Sequence, residues 1–101
     1  MRRLIITTAA RRQLAEITTY IALESGSRGS ALAFRKRLLE KCQTLARLQA
    51  TIGTQRVELA AGVRSTSVGN YIIFFRYDDV SVTIVAVLHA SRDVASLFDN
   101  D

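Results

Sequence analysis

Six polar side chains in the C-terminal half are of types that could do chemistry: Glu58, Arg64, Arg76, His89, Arg92 and Asp93. A proton-transfer reaction needs a base, an acid and a fixed cation where negative charge develops. Glu58, His89 and Arg64 supply those types, provided folding brings them together. Arg64, Arg76 and His89 could instead face a phosphate backbone, with His89 shuttling protons because its charge changes near neutral pH. A plainer reading competes with both. A lone carboxylate two residues after Arg56 has the pattern of an exposed ion pair. Arg64, Arg92 and Asp93 could serve only to fix the C-terminal tail. Arg76 interrupts an apolar run and must reach water or a partner.

Other chemistry finds little support. The chain has no GxGxxG, GxxxxGK[ST], HExxH or GxSxG pattern, so no cofactor and no catalytic metal is expected. Cys42 is the one cysteine, which excludes an intrachain disulfide and fits a reducing cytosol. On a helix it reads as a small core residue.

The bulk numbers describe a globular chain. At 101 residues and 49% hydrophobic content, one domain with a real core is expected. Proline is absent, which argues against linkers and disorder. No apolar run approaches the roughly 20 residues of a membrane span, and Arg2-Arg3 precedes too few apolar residues for a signal peptide. The net charge of +5 is unevenly placed. Residues 1–56 carry eleven Arg and Lys against Glu16, Glu24 and Glu40, whereas residues 57–101 are net acidic. A basic half suits nucleic acid, an acidic protein partner, or simply a solvated helical face.

The elements that position the polar residues follow from periodicity. Residues 71–77 and 80–89 are two apolar runs joined by Asp78-Asp79, which predicts a β-hairpin. The first shows little alternation, as expected of a central strand buried on both faces. Val63 to Val68 precedes it across Gly69-Asn70, a favourable two-residue turn, and gives a third antiparallel strand. Arg3 to Thr7 forms a short first strand. Thr7 or Thr8 then caps a helix whose apolar stripe is Ala10, Leu14, Ile17 and Ile21, ended by Gly26. Ser27 or Ser30 caps a second helix with the stripe Ala31, Phe34, Leu38, Cys42, Leu45 and Leu48. The short link makes the two helices an antiparallel hairpin. Gly53 turns the chain back, residues 57–61 form one helical turn or a loop, and residues 93–98 could add a short helix. The order is β-α-α-β-β-β. The class is α+β, with the α-hairpin packed on a twisted, mainly antiparallel sheet.

Several spaced fragments then carry a resemblance. They are Ala10, Leu14, Ile17, Tyr20 and Ile21; Ala33-Phe34, Leu38-Leu39 and Cys42 to Leu45; Gly53, Arg56, Glu58 and Leu59. Gly62, Arg64 and Ser65 follow, then Gly69 and Tyr71, and finally Val87, Leu88, His89, Arg92 and Asp93. In this order the chain resembles the ParE branch of the RelE/ParE toxin superfamily over nearly its whole length. Ala50-Thr51-Ile52 departs from the proline that such proteins often carry there.

The resemblance implies a bacterial cytoplasmic toxin that inhibits growth and stabilises plasmids. Its partner would be a ParD-like ribbon-helix-helix antitoxin in a hetero-oligomer, through which alone it would meet DNA. Its target would be DNA gyrase, and the chain would be a binding protein with no reaction of its own. Arg11, Arg12, Arg35 and Arg37 would then meet the antitoxin, and Arg64, Tyr71, Arg76, His89, Arg92 and Asp93 would be structural motif residues. The alternative is a RelE-type ribosome-dependent mRNA endoribonuclease using Glu58, Arg64 and His89. The tail after Arg92 has no Tyr, Lys, Arg or His, and Phe98 cannot transfer a proton, which weighs against that alternative.

Overall fold

The computed structural model describes residues 1–91. The predicted tail helix, Arg92 and Asp93 therefore lie outside the described residues.

The chain begins with strand β1 (Arg3–Ile6), followed by helix α1 (Thr8–Ser25) and helix α2 (Arg28–Arg47). Each helix start is set by one hydroxyl. Thr7 Oγ1 accepts from the Ala10 N–H at 3.1 Å, and Ser27 Oγ accepts from the Ser30 N–H at 3.1 Å. Between the helices Gly26 takes the left-handed conformation, φ +67°, which a residue with a Cβ adopts only at a cost. Leu48 closes α2 as its C-cap and is exposed, so the predicted stripe ends at Leu45 and Ala46. Arg2 donates to the Leu48 and Gln49 carbonyls, placing a cation at the negative end of α2.

Four further strands complete the sheet: β2 (Thr54–Gln55), β3 (Arg64–Val68), β4 (Tyr71–Tyr77) and β5 (Ser81–His89). The order is β1-β5-β4-β3-β2, with β1 parallel to β5 and the other pairs antiparallel. β4 is central, as the lack of alternation in its apolar run predicts. Tyr71, Ile73 and Phe75 face the helices and pack with Leu14, Leu38, Cys42 and Leu45. Phe74 points to the opposite face, into a smaller cluster with Val63, Ala86 and Leu88. Burying each such large side chain stabilises the fold by roughly 1.5–3 kcal/mol.

Two details depart from expectation. Thr54–Gln55 is a short edge strand inside a segment that carries no strand pattern. (The stretch after it holds one α-turn, Ala60 N–H to Arg56 C=O at 3.4 Å, within the helical turn or loop expected there.) Val80 belongs to the β4–β5 turn and not to β5. Asp78 Oδ1 accepts from both the Val80 and Ser81 N–H groups, which leaves Val80 72% exposed.

Candidate functional site

Arg56 and Glu58 lie in the connection between β2 and β3. The Arg56 guanidinium lies 5.6 Å from the Phe74 ring centre, donates to Glu58 Oε2 at 2.6 Å and reaches Ser65 Oγ at 3.4 Å. The hydrogen bond from Arg56 is the main cause holding the Glu58 carboxyl below its ordinary range. A carboxylate stabilised in this way is a weaker proton acceptor.

Arg64 turns toward the other face of the sheet. It sits across from Phe75, and residues directly opposite in an antiparallel pair share a face. Its guanidinium donates to the Gly53 carbonyl at 3.1 Å and reaches Thr51 Oγ1 at 3.5 Å, tying down the connection that leaves α2. Arg76 is exposed at the end of β4, across from Thr83.

His89 closes the far end of the sheet. It pairs with Tyr71 across the strands, their rings meet edge to face at 5.2 Å, and Nδ1 lies 2.8 Å from Ser91 Oγ. Tyr71 also packs on Phe34 at 5.5 Å. Burial, with Tyr20 adding to it, pushes the Tyr71 phenol upward. Around these rings opens a cleft of about 360 Å³ between α1 and the end of β5, lined by Gln13, Glu16, Ile17, Tyr20, Tyr71 and His89 among others. It is an amphipathic trough suited to holding a side chain or a short peptide segment.

The structure does not bring the three acid–base candidates together. Arg64 pairs with Phe75 and His89 with Tyr71, four positions apart along β4. That is about 13 Å along the strand, and β3 and β5 flank β4 on opposite sides, adding about 10 Å laterally. Glu58 is engaged by Arg56, and its hydrogen bond runs to that side chain and not to Arg64 or His89. Arg92 and Asp93, the remaining motif residues, lie outside the described residues. Among the described residues no group of three or more His, Cys, Asp or Glu could hold a metal.

The sequence model of the ParE toxin of type II toxin–antitoxin systems (parDE) matches residues 4–94. The chain belongs to the ParE toxin family. Among solved structures, it is similar to a chain of the chromosomal ParDE toxin–antitoxin system of P. aeruginosa, with a TM-score of 0.74 and 22% identity. That match covers 88% of this chain and 96% of the other. A chain of the RelBE2 toxin–antitoxin complex of Mycobacterium tuberculosis is similar at a TM-score of 0.58 and 26% identity, covering 87% and 96%. Among curated proteins, no sequence match was found.

In this ParE-family chain the helical cations are spread over the hairpin. Arg11 and Arg12 are exposed near the start of α1, and Arg35 and Arg37 are exposed midway along α2. Arg12 borders a mostly apolar depression with Ala15, Thr19, Tyr20 and Leu23, where Tyr20 is 57% and Leu23 78% exposed. Arg37 stacks over Phe34 at 5.2 Å and lines a second groove, with Glu40, Lys41 and Thr44 of α2 on one side and Ser67, Val68 and Gly69 on the other.

Arg56, read in the sequence as the ion-pair partner of Glu58, also meets Ser65 and Phe74. One participant escaped the sequence reading. Gln13 reaches from α1 to the Val87 N–H of β5. Its one visible signal is position: Gln13 is a polar residue beside Leu14 and one turn from Ala10 and Ile17, on the flank of a buried stripe.

Proposed function

We propose that this ParE toxin acts as a binding protein on DNA gyrase, so blocking replication, and that a ParD-like ribbon-helix-helix antitoxin neutralises it. The family assignment carries the toxin half of the reading. The observation that favours binding over cleavage is the separation of Arg64 from His89 along β4, with Glu58 held by Arg56. A helical hairpin dense in exposed Arg and Lys, beside partly exposed Tyr20 and Leu23, supports an acidic, amphipathic antitoxin segment as the partner. Such a toxin works in the bacterial cytoplasm, where gyrase and the chromosome are. Among the described residues no helix is long and apolar enough to cross a membrane.

The test is a supercoiling assay with purified toxin, run beside a ribosome-dependent mRNA cleavage assay. Inhibition of gyrase at near-stoichiometric toxin, relieved by the antitoxin, is the expected outcome. Gyrase unaffected at stoichiometric excess overturns the reading. Ribosome-dependent cleavage in its place would move the chain to the RelE-type endoribonuclease alternative, which the likeness to the RelBE2 chain keeps in view.

A further inference from the structure

The cleft between α1 and the end of β5 differs in sign from the rest of the chain. The sequence holds 14 Arg and Lys and a net charge of +5, yet none of the residues lining this cleft is Arg or Lys. Its one carboxylate is Glu16, whose side chain has no ion pair and no hydrogen bond among the described residues. A hollow of about 410 Å³ continues from it, shares Tyr20, Tyr71 and His89, and also has no Arg or Lys in its walls. Other grooves carry cations. Arg37 and Lys41 line the one beside α2, and Arg12 borders the depression on α1, with Glu16 and Tyr20 as the ridge between that depression and the cleft.

The rings in the cleft also lack partners. Tyr71 is 9% exposed, and a phenol so buried ordinarily makes a hydrogen bond. Its hydroxyl makes none among the described residues. Nor is it sealed off, since Arg2 Nε is the one unpartnered side-chain atom cut off from solvent among those residues. The hydroxyl therefore opens into the cleft that Tyr71 lines. Elsewhere in the fold arginine lies over rings: Arg2 over Tyr77 at 4.5 Å, Arg37 over Phe34 at 5.2 Å and Arg56 over Phe74 at 5.6 Å. Tyr20 and Tyr71 have no such cation among the described residues.

An unpaired carboxylate, a phenol oxygen open to a donor and ring faces without a cation together specify a guanidinium. Arginine has five N–H donors and no acceptor, so it can pair with Glu16, donate to the Tyr71 oxygen and lie on the Tyr20 ring at once. Lysine lacks the planar fork that allows this.

We infer that the cleft receives an arginine side chain presented by the toxin's target, held by Glu16, Tyr20 and Tyr71. The inference rests on the gyrase reading given above and names the surface that meets the target. An antitoxin drawn by the cationic helices is acidic, so a cleft of the opposite sign suits a different partner.

Two measurements test it. The first titrates wild-type toxin with N-acetyl-arginine N-methylamide while backbone amides are followed by NMR. The matching citrulline compound, which keeps the shape and loses the charge, is run beside it. Shifts at Glu16, Tyr20, Tyr71 and His89 are expected with the arginine compound alone, at a dissociation constant of about 1–10 mM for one side chain by itself. The second measures inhibition of gyrase supercoiling by variants that break no bond in the fold. Glu16 is unpaired and Tyr71→Phe removes an unpartnered hydroxyl, so Glu16→Gln and Tyr71→Phe should keep the wild-type thermal transition. Half-inhibition should require about tenfold more of the Glu16→Gln toxin and about threefold more of the Tyr71→Phe toxin. No shifts with the arginine compound, or wild-type potency in both variants, overturns the arginine cleft and leaves the gyrase reading standing. Wild-type toxin without effect on gyrase overturns both.

Discussion

Gln13 on α1 and Val87 on β5 are joined across 74 residues of sequence by one hydrogen bond, Val87 N–H to Gln13 Oε1 at 2.8 Å. The helix thereby completes a strand edge that β1, ending at Ile6, is too short to cover. Truncation by Gln13→Ala leaves the strand amide without its acceptor in a partly buried place. The cost should be about 1 kcal/mol, rising to about 3 kcal/mol if water cannot replace the acceptor. Gln13→Glu keeps an acceptor oxygen and should lose less. Chemical denaturation measures both, and amide exchange at Val87 should accelerate in the alanine variant. A wild-type midpoint with unchanged Val87 protection would show that the bond contributes nothing.

Two glycines with positive φ should respond very differently to alanine. A Cβ at Gly53, φ +91°, would stand 2.7 Å from Phe75 Cζ and 2.8 Å from the Ser65 carbonyl oxygen. The ring and the backbone it meets belong to the sheet and cannot step aside, so Gly53→Ala should cost about 3 kcal/mol or more. Gly26, φ +67°, has open space around its Cβ position. Only the backbone penalty remains there, about 1–2 kcal/mol. Denaturation midpoints of the two variants should fall in that order. Equal losses would mean that Phe75 yields.

The contrast between these residues explains what the sequence could and could not convey. Capping hydroxyls, the stripe Ala10-Leu14-Ile17 and the apolar run of β4 are local patterns, each imposed by an element's own geometry. They were legible because the helix or strand is visible within the segment itself. β2 was not, because Thr54–Gln55 is a strand only by pairing with Ser65 and Arg64. The extra residue of β5, Val85, lies where Phe74 pairs with Ala86 but Phe75 with Ile84, a bulge decided by packing on both faces. Val80 looks like a strand residue by type, yet the Asp78 carboxylate claims its N–H. The candidate site failed to assemble for a related reason. Glu58, Arg64 and His89 are compatible by type, whereas register fixes the separation of Arg64 from His89, and register is a property of pairs of strands.

Cys42 should give the native state a pH dependence at the alkaline end. Burial pushes its thiol up from 9.0 to about 11, so between those values the folded protein holds a proton that the unfolded chain has released. Stability from this group is complete below about pH 9 and is lost as pH rises toward 11, by at most about 2–3 kcal/mol. Tyr and Lys titrate in the same range, so the test is a difference. Cys42→Ala should be less stable at pH 7 from the cavity it leaves, but its alkaline slope should be shallower than that of wild type. Parallel slopes would remove Cys42 as the cause.

Asp78 should act at the opposite end of the pH scale. Its carboxylate accepts from Ser81 Oγ at 2.6 Å and from the Val80 and Ser81 N–H groups, and the Ser81 hydroxyl is the main cause holding it below its ordinary value. The folded chain therefore binds this proton less readily than the unfolded chain. The stability it contributes is present above the unfolded value of 3.8 and disappears as pH falls through the lower folded value. Asp78→Asn keeps one acceptor oxygen for the turn but cannot titrate, so its midpoint should lie below wild type at pH 7 and converge with it in acid. A constant gap between the two proteins across that range would sink the argument.

The exposed cations of the hairpin should govern how fast the antitoxin arrives. Arg11, Arg12 and Arg35 carry no ion pair among the described residues, so reversing them removes attraction without breaking the fold. Each of Arg11→Glu, Arg12→Glu and Arg35→Glu should slow association by several-fold at low salt, with little change in dissociation. The effect should fade as ionic strength passes about 0.15 M, where charges more than about 8 Å apart are screened. Arg12 borders the apolar depression that contains Tyr20 and Leu23, so its reversal should also speed dissociation if the antitoxin covers that depression. Stopped-flow association across a salt series separates the two effects. Association rates equal to wild type at every salt concentration would place the antitoxin surface elsewhere on the toxin.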